Sequence, residues 1–156
     1  MKLSPKSLFA FFAVAETVTW TLLIGAILAR ATIGVPSEVF FVVGASHGFT
    51  FLGFVAVSKL VGFNQRWSLG KIILIALLAI VPFATIPFER KLAKSGELEG
   101  NWRTQKSDDL RDEAFVDGLF RWFIARPIIL VLAIAALVVG LFSFLLWLGP
   151  PYEWGN

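Results

Sequence analysis

The chain has no cysteine, a single histidine (His47), a single tyrosine and few charges: 16% of its 156 residues are charged, against about 25% in a soluble domain. Without cysteine there is no disulfide, thiolate nucleophile, iron–sulfur cluster or zinc–thiolate site. One histidine beside carboxylates is a poor ligand set for a transition metal, and a haem held by two histidines is excluded within one chain. There is no nucleophile-plus-base motif and no glycine-rich phosphate loop. The expectation is therefore a non-enzyme with no cofactor and no metal. The net charge is only +3. Its basic residues sit beside apolar runs rather than in a stripe interleaved with aromatics, which argues against nucleic acid and for membrane flanks.

What the chain has instead is apolar length. Hydrophobic residues make up 57%, with 16 Phe and 6 Trp. From Ile72 to Phe88 there is no charge, and Lys71 and Glu89 fence the run; such a stretch is a membrane-span candidate. Three further runs, about 7–29, 37–60 and 127–148, read the same way. The first is longer than the core of a signal peptide (about 7–15 residues) and carries Glu16, Thr17, Thr19 and Thr21, so it reads as a span. The fold expected is all-α: a polytopic membrane protein with four transmembrane helices. Residues 1–92 form a three-helix unit (spans about 7–29, 37–60 and 70–88), 93–126 a polar loop, and 127–156 the fourth span with an aromatic tail of Trp147, Tyr152 and Trp154. Gly34 and Pro36 break the chain between the first two spans. Pro127 suits a first helical position. Pro82 and Pro87 each remove a backbone donor from the third span, so a bend is expected near Pro82, with Thr85 close enough to satisfy a freed carbonyl.

Residues 89–126 carry eight basic and eight acidic side chains. Within them, 107–123 has helical spacing, with Ser107 as N-cap and Asp108, Asp109 and Asp112 at the positive end of the dipole. An amphipathic helix before the fourth span would lie on the membrane surface or against a partner. Its apolar residues Leu110, Phe115, Leu119, Trp122 and Phe123 are the candidate docking set. The short basic connection 61–71 favours a cytoplasmic N-terminus in a bacterial cell membrane, although the basic residues of the long loop, counted mechanically, favour the reverse.

Two ionisable residues fall at membrane depth. Each costs about 2.5–3.5 kcal/mol on insertion scales, so each must face a partner. Antiparallel first and second spans bring Glu16 and His47 within about one turn in height, with Thr19 and Trp20 also near His47. Glu16 and His47 are thus an expected polar pair, joined directly, by water or through Thr50. Such a pair reads either as a packing clamp or as the lining of a proton or ion path.

Several patches taken together carry a resemblance: Ala15-Glu16-x-x-x-Trp20, His47-Gly48-x-x-Phe51, Trp67-Ser68, Pro82-Phe83-x-Thr85 and Glu89-Arg90. Over residues of about 5–92 the chain resembles a family of small actinobacterial integral membrane proteins catalogued as a domain of unknown function. The resemblance implies a three-helix membrane unit in which Glu16, His47, Pro82, Thr85 and Glu89 matter, and it implies no activity. The loop and last span extend beyond that pattern. Small size, abundant aromatics and an appended span together lead to the functional expectation. It is an accessory or structural subunit that meets the lipid bilayer and other integral membrane subunits of a larger assembly, a respiratory-chain supercomplex being the best single instance. The alternative is a small oligomeric transporter or channel using Glu16 and His47.

Overall fold

The computed structural model describes residues 4–149. Among them every regular element is helical: α1 (Pro5–Thr32), α2 (Ser37–Asn64), α3 (Leu69–Leu78), α4 (Thr85–Lys94), a 3-10 turn at Leu110–Glu113, α5 (Phe115–Ile124) and α6 (Pro127–Leu148). The all-α polytopic architecture expected from the sequence holds. Three helices, α1, α2 and α6, are long and apolar enough to cross a membrane. The expected Tyr152 and Trp154 lie outside the described residues.

Local chemistry explains where the long helices start and stop. Ser4 caps α1, its hydroxyl accepting from the Ser7 N–H at 3.1 Å, and Pro5 fills the first position, where no donor is needed. With 28 residues α1 is about 42 Å long, enough to pass a hydrocarbon core of about 30 Å. Gly34, at φ 74°, takes the left-handed position past its end. α2 ends in a Schellman turn: the Trp67 N–H donates to the Gly62 carbonyl at 2.9 Å and the Arg66 N–H to that of Phe63 at 3.3 Å. Arg66 itself takes the left-handed position, at φ 55°, where glycine is usual.

The third apolar run departs from expectation. Residues 70–88 are not one kinked span. α3 is 10 residues long, about 15 Å, half the depth of a bilayer core. The chain then turns through 79–84 and returns as α4. The reversal has a local cause. Pro82 has no N–H to give the Leu78 carbonyl, which instead accepts from Val81 at 3.1 Å. Phe83 then adopts φ 65°, and the helix direction is lost. Pro87 falls in the first turn of α4, where a missing donor costs nothing, so it begins a helix rather than kinking one. α4 is amphipathic, with Thr85 and Leu92 buried and Arg90, Lys91 and Lys94 exposed.

Contacts fix the direction of this hairpin. Near its entry, Ile72 lies against Gly62 of α2. At its tip, the Ala79 carbonyl accepts from Trp20 Nε1 at 3.1 Å, about halfway along α1. Beyond α4, Lys71 pairs with Glu97 and Lys6 with Glu99. Both ends of the hairpin therefore lie at the end of the bundle where α1 begins. Its core is Phe9, Ala13, Phe54, Val57, Val61, Ile75, Ala79, Leu92 and Leu98, drawn from α1, α2, the hairpin and the loop after it. α6 packs on α2 near its middle, where Phe142 meets Phe49 edge-on at 6.0 Å between centroids.

Candidate functional site

The intramembrane polar residues form two neighbouring sets rather than one pair. Glu16 is fully buried. Its Oε2 accepts from the Thr85 hydroxyl at 3.1 Å. Thr85 also reaches the Ala13 carbonyl at 3.2 Å and Thr17 Oγ1 at 3.3 Å. A hydroxyl has one proton to give, so Ala13 and Glu16 compete for that of Thr85. Glu16 Oε1 is buried with no hydrogen-bond partner among the described residues. Thr85 is the first residue of α4, so the carboxyl meets the positive end of that helix. Thr85 thus pins the returning arm of the hairpin to α1, instead of satisfying a carbonyl freed by proline.

His47 faces a different group. Its Nδ1 lies 3.1 Å from Thr19 Oγ1, and its ring packs on Trp20 at 4.4 Å between centroids. The Thr19 hydroxyl also reaches the Glu16 backbone carbonyl at 3.0 Å. The hydroxyl has one proton, so the Glu16 carbonyl and His47 Nδ1 compete for it, and the His47 tautomer sets the direction of the bond to Thr19. Glu16 and His47 are linked through Thr19 and the α1 backbone. Thr50, the other expected bridge, donates instead to the Ser46 carbonyl of its own helix at 2.9 Å.

A second constellation lies where α1 begins and α2 ends. Asp112 is buried and collects three arginines: Arg66 at 2.6 Å, Arg121 at 3.0 Å and Arg103 at 3.2 Å. Its other oxygen accepts from the Ser107 N–H and hydroxyl, both at 2.7 Å. Asp117 pairs with Arg103 at 2.8 Å. Asn64 extends the lock, its Oδ1 accepting from the Arg103 N–H at 2.9 Å and its Nδ2 donating to the Asn101 carbonyl at 3.2 Å. Hydrogen bonds from Ser107 and the neighbouring guanidiniums hold the Asp112 carboxyl far below the usual range. Arg111, which hydrogen-bonds both carboxylate oxygens, lowers Asp109 to about 2.

This lock corrects the expected helix over 107–123. Ser107 is bound to Asp112 and caps no helix. Asp109 opens a four-residue 3-10 turn, Ala114 is extended, and α5 begins at Phe115. The candidate docking residues are placed as an outward ridge. Leu110 is 86% exposed and Phe115 81%, with Leu119 and Trp122 also exposed. Phe123 is half-buried, with its ring edge-on to Trp122. Asp117 and Arg121, on the back of the same helix, tie it to the lock. Sequence reasoning missed Thr85 as the partner of Glu16 and Asp112 as a hub; the equal count of acids and bases in this loop was the one signal for the latter. Among the described residues no three His, Asp or Glu side chains come together to hold a metal.

These features define an all-helical integral membrane unit with an internal hairpin. Residues 6–94, more than half of the chain, match the family model described as domain of unknown function DUF3817, and the chain belongs to that family. A Streptomyces coelicolor A3(2) protein described as a membrane protein is 32% identical over 91 residues. The match covers 58% of this chain and 11% of that relative, so it spans about a tenth of the relative's length. No solved structure matches the chain. The family match ends at the hairpin; it includes Asn64 and Arg66 of the lock, and the rest of the lock, α5 and α6 lie beyond it.

Proposed function

We propose that the protein is a non-catalytic accessory subunit of a larger membrane assembly, with a respiratory-chain supercomplex the instance we favour. The observation that carries this reading is the braced apolar ridge. Leu110, on the 3-10 turn that Asp112 anchors, and Phe115, at the start of α5, are almost fully exposed, and Asp117 and Arg121 fix α5 from behind. A rigid apolar surface of this kind loses little conformational freedom on docking. α6 supports the same reading, since only Leu130 and Val138 of its 22 residues are buried. The absence of cysteine and the single histidine support a non-catalytic role.

The reading includes an orientation in the bacterial cell membrane. Of 14 Lys and Arg residues, Lys2 is undescribed and Arg30 lies at the far end of α1. The remaining 12 lie in the hairpin, in the loops at the end where α1 begins, or at the helix ends beside them. The positive-inside rule then favours a cytoplasmic N-terminus. The hairpin removes the conflict in the sequence count, because it returns the long loop to the N-terminal side.

The test is mild detergent extraction through a C-terminal tag, with mass and identification of what co-purifies. Stoichiometric large membrane subunits, released by Leu110→Ser with Phe115→Ser, are expected. A homo-oligomer of defined mass would overturn the accessory reading. It would favour the second one, an oligomeric transporter using Glu16 and His47, for which the buried, unpartnered Glu16 Oε1 speaks.

A further inference from the structure

The basic residues at the N-terminal end of the bundle fall into two classes. Arg66, Arg103, Arg111 and Arg121 are paired with Asp109, Asp112 or Asp117, and Lys6, Lys71 and Lys106 with Glu99, Glu97 and Glu113. Among the described residues of this end five have no acidic partner within ion-pair distance: Lys59 of α2, Arg126, which lies over the Trp122 ring, and, together on α4, Arg90, Lys91 and Lys94. The last three share one face of α4 and, with Pro87 and Ser95, line an open cleft of about 530 Å³. All three are exposed. Lys91 is also close enough to Lys71 to act on it electrostatically. Glu89, the one acid on α4, is half-buried and forms no ion pair among the described residues.

Position decides what such a face meets. α4 climbs from the hairpin tip, where Val81 and Phe83 are exposed apolar residues, to Lys94 at the bundle end. Arg90 lies four residues deeper than Lys94, about 6 Å. That places the three cations across a layer as deep as a phospholipid headgroup, with apolar surface below them for acyl chains. Lys and Arg at this depth extend their heads toward phosphate. Lys91 and Lys94 also suit the negative end of α4, but Arg90 lies a turn before that end, beyond the reach of this effect.

We propose that Arg90, Lys91 and Lys94 form a binding site for the phosphate headgroup of an anionic phospholipid, held at the membrane surface by the re-entrant hairpin. Each basic residue near an anionic surface is worth roughly five-fold in partition. Loss of all three should weaken binding on the order of 100-fold at low salt, and at least ten-fold once screened.

The test uses the purified full chain in a neutral detergent, titrated with phosphatidylglycerol or phosphatidylcholine, with bound lipid counted by native mass spectrometry. The expected result is a preference for phosphatidylglycerol that falls at least ten-fold in the Arg90→Gln, Lys91→Gln, Lys94→Gln variant. A second variant, Lys6→Gln, Lys59→Gln, Lys106→Gln, removes the same charge from the same end and should stay within about three-fold of wild type. Equal loss in both variants, or loss in neither, would overturn the site. So would displacement of the lipid by millimolar glycerol phosphate, which would mark a site for free anions. A third variant, Arg90→Lys, Lys91→Arg, Lys94→Arg, should retain binding if charge is the cause. If it too loses binding with helix content unchanged, the proposal fails.

Discussion

The anchoring of the hairpin by Glu16 can be measured as a coupling energy. Glu16→Met and Thr85→Val each remove one partner of the 3.1 Å hydrogen bond at nearly constant volume. Interhelical hydrogen bonds in membranes couple by about 0.6 kcal/mol on average and about 1.7 kcal/mol at most. Glu16 is fully buried and faces the start of a helix, so the upper part of that range, about 1–1.7 kcal/mol, is expected. Glu16→Met with His47→Phe should couple by less than about 0.5 kcal/mol, the usual error of additivity for groups not in contact. The assay is equilibrium unfolding in mixed micelles, followed by tryptophan fluorescence, for the wild type and all single and double variants. Coupling to His47 as large as that to Thr85, or coupling to Thr85 indistinguishable from zero, would refute the assignment of partners.

Three further outcomes follow from the packing and the charges. A Cβ on Gly62 would lie 2.7 Å from Ile72 Cγ1 and 3.2 Å from a Trp67 ring carbon; overpacking costs about 1–3 kcal/mol and exceeds the helix-propensity gain of about 1 kcal/mol, so Gly62→Ala lowers the melting temperature in thermal unfolding. Acid should release the loop 95–126. Asp109 and Asp112 have folded-state values below their unfolded ones, so their contribution is full above about pH 4. It is lost as pH falls toward about 2 for Asp109 and lower still for Asp112, so the protection factors of the loop amides (exchange rates corrected for the intrinsic pH dependence) stay constant from pH 5 to 8 and fall only below about 4, whereas loss of protection near pH 6 would contradict the lock. Arg66→Gly relieves a left-handed backbone but removes a 2.6 Å contact to Asp112; loop exchange should rise while α2 keeps its helix content by circular dichroism.

What the sequence made legible was set by length and by spacing along one helix. The three spans followed from long apolar runs, about 7–29, 37–60 and 127–148, broken at Gly34 to Pro36 and begun at Pro127, and the helices overran the expected limits only near their ends. The company of His47 was legible too: a constant rise per residue brought Thr19 and Trp20 to its level. The hairpin was not legible, because hydropathy counts residues and carries no direction. The 70–88 run is long enough to cross, yet Pro82 and a left-handed Phe83 turn it back halfway. The partner of Glu16 was lost for the same reason, since Thr85 reaches α1 only when the chain reverses. The Asp112 hub draws on positions 66, 103, 107, 112 and 121, and no helical period relates them. Ser107 looked like a helix cap because its hydroxyl suits either an N–H or a carboxylate, and three converging arginines fix Asp112 as the acceptor.

The central claim is that 69–94 enters from the N-terminal side of the membrane and returns to it. The chain has no cysteine, so single cysteines can be placed without background. Gly100→Cys, Ser4→Cys and Gly34→Cys would each be probed with a membrane-impermeant maleimide on right-side-out and inverted vesicles. The account predicts that positions 4 and 100 label from the same side and position 34 from the other. Labelling of position 100 together with position 34 would mean that 69–94 crosses the membrane, and it would contradict the hairpin.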